Sequence, residues 1–338
     1  MHQTVTARRE RTRQAQRRPR VGIVLGAGGV LGGAWMAGAL VALMRITGWD
    51  PSEADCLVGT SAGAVFAALL AAGVSPSRLL PSGPTDASWI LNELTLESTY
   101  RSGRWLPHAP MGSWRLALAG VLQSPSPWSM LQTLSGIAPT GRVSPDPIAR
   151  TVRQIVAHGW AAHPHCRIVA TDYASGKRVV FGDAGAPDAS LAEAVSASCA
   201  IPGFFEPVAI NGRRYVDGGL HSLCNLDLLD AADLDVVICF SALTSHLGEV
   251  PAAPLQRAFH TLFGLAVEQL DRQVRALTDR GVDVVVVEPT VKDKAAMGVN
   301  LMDARRWGVV LEIALSSVAR ELQRCHVRRR LRPLVIAA

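Results

Sequence analysis

The chain has 338 residues, of which 49% are hydrophobic and 18% charged, a composition that excludes extended disorder and predicts a compact globular protein. Its formal net charge of +6 arises in residues 1–20, which hold seven arginines and one acidic residue. The remaining chain has no basic surplus with which to follow a phosphate backbone, so we expect no nucleic-acid partner. We predict a disordered arm over 1–20, either a tether to anionic membranes or a solubilising tail, and a single domain over 21–338.

A first apolar stretch follows the arm, from Val21 to Met44, without a charged residue. Its length and position are those of a signal peptide or a membrane span. However, seven glycines cluster between Gly22 and Gly38, which favours a turn between two elements over one continuous helix. We therefore predict a strand, a glycine loop and a helix.

Short apolar runs and helical stretches alternate along the rest of the chain. Because parallel strands need crossover helices, this alternation predicts an α/β fold: a central, mostly parallel sheet with helices on both faces, a three-layer sandwich. The predicted strands after the first are 56–59, 167–173, 177–183, 235–240 and 283–289, and the clearest helices are 62–72, 189–199, 254–280 and 304–325.

Residues from about 75 to 145 interrupt this alternation and predict an apolar lid or insertion beside the sheet. The segment is rich in proline and serine and holds four tryptophans, at positions 89, 105, 114 and 128. Residues 116–140 carry no charge at all. We expect this segment either to form a lipid-facing wall of the active-site mouth or to pack onto the sheet.

The six cysteines form no CxxC pair and fall mostly inside apolar segments. They predict buried thiols in a reducing compartment, and hence a cytoplasmic protein without a disulfide framework or a zinc site. Three histidines, at positions 158, 163 and 165, are too irregularly spaced for a metal-binding face. We expect surface histidines there, with no metal and no cofactor.

A G-x-S-x-G pentapeptide, Gly59 to Gly63, lies between an apolar strand and an alanine-rich helix. A serine at such a tight turn is held in a strained conformation with its hydroxyl exposed, as a nucleophile requires. The helix that follows favours developing negative charge at its N-terminus. Ser61 is therefore the predicted nucleophile, and the alternative is a turn with no chemical role.

A glycine-rich loop, Gly26 to Gly32, follows the first predicted strand. Consecutive glycines such as Gly28 and Gly29 allow several backbone N–H groups to point at one spot, which an oxyanion hole or a phosphate cradle needs. The dinucleotide fingerprint G-x-G-x-x-G would require glycine at position 31, where this chain has leucine.

A third motif, Asp217-Gly218-Gly219, follows a short strand-like stretch. Taken alone it predicts only a turn. In order along the chain, however, the glycine loop, G-x-S-x-G and Asp-Gly-Gly resemble the patatin-like phospholipase family. Residues 192–208 (AEAVSASCAIPGFFEPV) are similar to the helix and proline turn that precede the family's aspartate.

The resemblance covers roughly residues 21–240 and implies a serine acyl hydrolase that cleaves lipid esters. It implies a Ser61–Asp217 dyad without histidine, with oxyanion donors from the backbone at Gly28 and Gly29. The family commonly has Lys or Arg where this chain has Leu31, so no anion contact from that side chain is implied. A lipid ester substrate and transient contact with a membrane surface follow as expectations, while the oligomeric state stays open.

Three alternatives are open at this stage. A histidine could complete a triad, and His221 is nearest in sequence to Asp217. A nucleotide-dependent oxidoreductase would need an acidic residue at the end of the second strand, which instead runs into Gly59 to Gly63. A catalytically inactive lipid-binding module would retain the same motifs.

Overall fold

A computed structural model of the chain describes residues 18–80, 112–123, 126–230, 234–244 and 254–335. Eight strands form one sheet, in the order β5-β6-β3-β2-β1-β7-β8, with β4 paired to β3 outside this path. The strands are β1 (Val21–Leu25), β2 (Cys56–Thr60), β3 (Cys166–Asp172), β4 (Arg178–Phe181), β5 (Val208–Ile210), β6 (Arg213–Asp217), β7 (Val236–Phe240) and β8 (Asp283–Val287).

Five strands, β3-β2-β1-β7-β8, are mutually parallel and form the centre of the sheet. The predicted strand at 177–183 is instead antiparallel to β3, as are β6 with β3 and β5 with β6. Short connections allow these antiparallel pairings, whereas each parallel step requires a crossover.

Ten α-helices accompany the sheet in the described ranges. They are α1 (Gly29–Thr47), α2 (Ala62–Ala71), α3 (Trp114–Leu122), α4 (Pro127–Ile137), α5 (Asp146–Arg153), α6 (Leu191–Ser198), α7 (Pro254–Thr278), α8 (Val291–Met297), α9 (Trp307–Leu322) and α10 (Cys325–Leu331). Helices α1, α2, α6 and α9 pack in one core with β-strand side chains such as Ile23 and Leu57, while Leu270 and Leu277 of α7 pack in the other with Val24 and Val58. The three-layer α/β prediction is confirmed.

The long helix predicted at 304–325 is wrong in its extent. The chain forms a 3-10 turn at Ala304–Arg306, then α9, and breaks at Arg324, whose ψ of 138° is extended. The break turns the chain so that Val327 and Leu331 of α10 enter the core. Since these are the core-facing positions of α10, Cys325 is exposed, contrary to the prediction of buried thiols, whereas the other five cysteines are buried.

The glycine-rich stretch from Val21 forms the predicted strand, loop and helix. In the described part of the chain, α1 is the one helix with the length and hydropathy of a membrane span, and 72% of that apolar window is buried in the fold. It packs against α9, where a Cβ on Gly38 would lie 2.6 Å from the Leu311 carbonyl oxygen and 2.9 Å from Ala314 Cβ. Glycine at position 38 therefore sets the distance between the two helices.

Arginines 18 and 20, at the end of the predicted arm, contact the domain. The Arg18 guanidinium donates to the Glu53 carbonyl oxygen, and the Arg20 N–H donates to Asp235 Oδ2 at 2.7 Å. Residues 1–17 lie outside the described ranges, as do Trp89 and Trp105 of the predicted insertion. The disorder of the arm stays a prediction.

A substitution at Gly38 tests this helix contact. We expect Gly38→Ala to lower the free energy of unfolding by about 1–3 kcal/mol, because the methyl group would collide with the backbone of α9. Gly308→Ala, in α9 itself, meets no atom within 4 Å and should be neutral or stabilising by up to about 1 kcal/mol. Urea unfolding of both variants measures the difference, and equal effects would contradict the proposed close contact.

Candidate active site

The predicted nucleophile lies at a strained turn between β2 and α2. Ser61 has φ 55° and ψ −126°, a positive-φ backbone that L-residues rarely adopt. The residue is almost fully buried, in contrast to the exposed hydroxyl expected at such a turn. Both flanking glycines are sterically required. A Cβ on Gly59 would lie 2.6 Å from Ala64 Cα, and one on Gly63 would lie 2.0 Å from the Leu25 carbonyl oxygen.

The end of α6 holds the backbone of this turn in place. The Ser61 N–H donates to Ser198 Oγ at 2.9 Å, and the Ser198 hydroxyl donates to the Val169 carbonyl oxygen of β3 at 2.6 Å. The Cys199 thiol donates to the Ser61 carbonyl oxygen, with sulfur and oxygen 3.1 Å apart. Both backbone polar groups of Ser61 are therefore paired with residues at the end of α6, and Ser198 in turn bonds to β3.

Strand β3 brings Asp217 beside this turn. Along one edge of β3, β2 pairs Thr60 with Val169, and β6 then pairs Asp217 with Ala170. Strand β4 pairs with residues of β3 that also pair with β2 or with β6. Because one edge of a strand can pair with only one neighbour at a given residue, β4 occupies the opposite edge of β3. Strands β2 and β6 therefore follow one another along the same edge. The last residue of β6 therefore meets the residue that follows β2.

The Asp217 side chain is buried beside the Ser61 hydroxyl, which favours the carboxylate form. Its Oδ1 accepts the Gly219 N–H at 2.7 Å. The Thr171 hydroxyl holds the Asp217 carbonyl oxygen at 3.0 Å. These contacts fix the carboxylate at the nucleophile. The structure thus brings together Ser61 and Asp217, which are 156 positions apart in the chain.

Burial has a chemical consequence for this carboxyl group. Desolvation raises the pKa of Asp217 to about 6, although its hydrogen bonds with Ser61 and with the Gly219 N–H act in the opposite direction. A carboxylate with a pKa near 6 is a stronger base than ordinary aspartate, yet it is still largely ionised at neutral pH. Burial therefore supplies the basicity that the sequence alone does not show.

The glycine loop lies against the Ser61 turn. The Gly63 N–H donates to the Gly26 carbonyl oxygen at 3.2 Å, which joins the two segments. Gly29 has φ 61°, and a Cβ on Gly28 would lie 2.8 Å from Gly32 Cα. Among the described residues, no backbone acceptor pairs with the N–H groups of Gly28 and Gly29. Of the two, Gly29 lies on the wall of the pocket that contains Ser61.

Close packing accounts for the other motif glycines. A Cβ on Gly218 would lie 2.3 Å from the Val169 carbonyl oxygen, and one on Gly219 would lie 3.0 Å from Asp217 Oδ1. At Gly26 and Gly32 the nearest atoms would be Cys224 Sγ at 3.0 Å and Ala242 Cβ at 3.1 Å, respectively. The Leu31 side chain is fully buried in the core.

An apolar pocket opens beside the nucleophile. The volume of the pocket, including its open mouth, is about 480 Å³, and Ser61 and Gly29 lie on its wall. The remaining wall is mainly hydrophobic side chains from several elements, including Val65, Phe66, Ile148, Phe205, Met302 and Trp307. An alkyl chain suits such a wall because it leaves no polar group without a partner.

The sequence contains a patatin-like phospholipase domain, which matches the family model over residues 23–230. This chain belongs to the patatin-like phospholipase family. The assignment agrees with the order of the three motifs and makes a lipid hydrolase the expected class of enzyme.

Solved structures of bacterial proteins are similar at low sequence identity. VipD from Legionella pneumophila is 15% identical with a TM-score of 0.38, and the match covers 88% of this chain and 67% of VipD. ExoU in its heterodimeric complex with SpcU, from the type III secretion system of Pseudomonas aeruginosa, is 18% identical with a TM-score of 0.31, covering 94% of this chain and 66% of the other. The family assignment rests on the match of the sequence to the family model. No curated protein matches the sequence significantly.

His221, the histidine nearest in sequence to Asp217, makes a different contact in the described structure. Its Nε2 lies 2.6 Å from the Gly176 carbonyl oxygen, and burial lowers its pKa. His158 and His165 are exposed, and His163 Nε2 lies 2.7 Å from the Ala54 carbonyl oxygen. In the described ranges, no group of three His, Cys, Asp or Glu side chains could hold a metal ion.

Sequence reasoning did not assign roles to the residues that support the nucleophile. Ser198 and Cys199 lie in the 192–208 segment that carried the family resemblance, but a pattern does not specify which hydroxyl reaches Ser61. Met302 and Trp307 reach the pocket from the far end of the chain, outside the family match. Only the folded chain brings them to the site.

Ser198 is expected to position Ser61. Replacement by alanine leaves the buried Ser61 N–H without its acceptor, so Ser198→Ala should lower the free energy of unfolding by about 1–3 kcal/mol and reduce kcat on a soluble ester. Ser196 is the matched control, because its buried hydroxyl has no partner in the described structure. Ser196→Ala should change neither quantity, and an equal loss in both variants would contradict a specific role for Ser198.

Proposed function

We propose that this protein is a serine acyl hydrolase that cleaves ester bonds of lipids through a Ser61–Asp217 dyad and an acyl-enzyme. The observation that carries the proposal is the proximity of a strained serine on the wall of an apolar pocket to a buried aspartate. The substrate class is a phospholipid, lysophospholipid or acyl-glycerol ester, whose acyl chain the pocket suits. Neither a metal nor a cofactor has a role in this reaction.

In the first half of the reaction, Ser61 Oγ attacks the ester carbonyl carbon while its proton passes to Asp217. The negative charge that develops on the carbonyl oxygen is stabilised by the N–H groups of Gly28 and Gly29, assisted by the N-terminus of α2. When the carbon–oxygen ester bond breaks, the alcohol leaves with the proton held by Asp217. The acyl group remains on Ser61.

Water completes the cycle. It gives one proton to Asp217 as its oxygen attacks the acyl-enzyme, and the second tetrahedral oxyanion uses the same two donors. Breakdown releases the carboxylic acid, and the proton on Asp217 returns to Ser61 Oγ. One carboxylate thus acts alternately as base and acid.

The proposal extends to location. A lipid ester substrate requires transient contact with a membrane surface, and free buried thiols favour a cytoplasmic location.

Labelling of Ser61 by a fluorophosphonate probe separates a hydrolase from a catalytically inactive lipid-binding module or a nucleotide-binding oxidoreductase. Absence of labelling on folded protein would exclude the hydrolase.

Removal of either member of the dyad should abolish turnover. We expect Ser61→Ala, Asp217→Asn and the double variant each to reduce kcat on a short p-nitrophenyl ester by about 10³-fold or more, with no additivity, because the two residues act as one unit. The fold should persist, since alanine at position 61 adds no bulk. Circular dichroism serves as the control. Wild-type-like turnover in Asp217→Asn would contradict the dyad.

The pH dependence should report the ionisation of Asp217. Only its carboxylate form accepts the Ser61 proton, so kcat/KM for a neutral ester should fall as pH drops through about 6, the raised pKa of this group. Intrinsic fluorescence over the same range checks that the protein stays folded. A midpoint near the ordinary aspartate pKa of about 4 would contradict the proposed effect of burial.

A further inference from the structure

Helices α3 and α4 form a hairpin that exposes two apolar stripes. Of the eleven large hydrophobic side chains exposed in the described chain, seven lie on these two helices, with exposed fractions between 46% and 76%. They repeat at helical spacing: Trp114, Leu118, Val121 and Leu122 on α3, and Met130, Leu134 and Ile137 on α4. We call these seven side chains the outer face of the hairpin.

The inner face has the opposite character. Its buried positions include Ser113, Gly120, Ser129, Gln132 and Gly136, with Leu116 as the main apolar contact to the domain. A helix on a water-soluble surface normally buries its apolar stripe and exposes its polar residues. The hairpin reverses this arrangement, which indicates that its outer face has a partner other than water.

The two helices pack closely against each other through glycines. A Cβ on Gly120 would lie 2.5 Å from the Ser129 carbonyl oxygen, and one on Gly136 would lie 2.3 Å from the Ala117 nitrogen. The Thr133 hydroxyl donates to the Ser129 carbonyl oxygen at 2.8 Å within α4. Small residues at the contact and internally satisfied polar groups are typical of helices that face an apolar solvent.

Charge and aromatic content favour a bilayer over a protein partner. The run 116–140 holds no charged residue that could form an ion pair with another protein. At its edge, the Arg115 guanidinium lies 5.6 Å from the Trp114 ring centroid. A tryptophan and an arginine at the boundary of an apolar surface are suited to the level of the lipid headgroups.

The hairpin is joined directly to the aspartate segment of the site. Gln132 Nε2 donates to the Leu220 carbonyl oxygen at 3.3 Å, in the turn that follows Asp217. Leu116 packs with Val216, the residue before Asp217, and with Leu220. In contrast, none of the side chains that line the pocket at Ser61 comes from the described part of the hairpin. The described hairpin therefore contacts the aspartate segment and does not line this pocket.

We propose that the outer face of the α3–α4 hairpin docks the protein on a lipid bilayer, in the plane of the membrane interface. The helices have nine and eleven residues, or about 14 and 17 Å, too short for a hydrocarbon core of about 30 Å. The purpose of docking rests on the proposed function, because docking would bring the lipid substrate to Ser61. Binding itself does not require catalysis.

Vesicle binding tests the proposal in a Ser61→Ala background, in which lipid is not consumed. Sedimentation with neutral phosphatidylcholine vesicles at about 0.5 M salt suppresses any contribution of the arginine arm. We expect Leu118→Glu/Leu122→Glu to weaken binding about tenfold or more, because two apolar side chains no longer enter the bilayer. Val291→Glu/Val309→Glu, at exposed valines of α8 and α9, should bind like the parent protein.

Four results would overturn the docking surface. The first is no binding by the parent protein, and the second is unchanged binding by the leucine double variant. The third is a parent dimer in light scattering that the leucine substitutions dissociate, which would assign the face to a second copy of the chain. The fourth is a lower melting temperature of the leucine variant without lipid, which would mean that the chain itself covers the face. Failure of the proposed hydrolase would instead appear as no hydrolysis of a soluble ester by the wild-type protein, while vesicle binding by the Ser61→Ala parent persists.

Discussion

The site depends on one strand edge that two other strands share. Val169 and Ala170 of β3 are neighbours, and their partners are Thr60 of β2 and Asp217 of β6. A shift of either ladder by a single residue would turn the partner's side chains to the opposite face of the sheet. The hydrogen-bond register therefore determines whether the aspartate meets the serine, and the burial of β2 and β3 on both faces holds that register.

The proposed chemistry and the stability of the fold place opposite demands on Asp217. A buried carboxylate is costly unless it is hydrogen-bonded, and here the Ser61 hydroxyl and the Gly219 N–H supply only part of the compensation, so the pKa stays raised. The strained backbone of Ser61 is a second local cost, which the contacts with Ser198 and Cys199 offset. The surrounding sheet and helices must stabilise both.

The hairpin α3–α4 and helix α1 illustrate how one property, apolarity, has different structural outcomes. Helix α1 is uncharged between Gly29 and Met44, yet it is buried against α9 because Gly38 permits close contact there. In the hairpin, glycines also permit close contact, but this contact is between the hairpin's own two helices. Its apolar side chains remain exposed. Hydropathy alone does not distinguish these cases, since only the packing partners decide which face is covered.

Local pattern was sufficient for the sheet and the nucleophile turn. Alternating apolar runs and helical stretches predicted the α/β class. The G-x-S-x-G motif between a strand and a helix predicted the turn that the structure has at Ser61. Both signals depend on residues that are neighbours in sequence. Tertiary structure alone decided the antiparallel pairing of β4 and β6, the support of Ser61 by Ser198, the raised pKa of Asp217 and the outward direction of the hairpin's apolar stripes. Each of these depends on groups distant in sequence, whose meeting is set by strand register and burial.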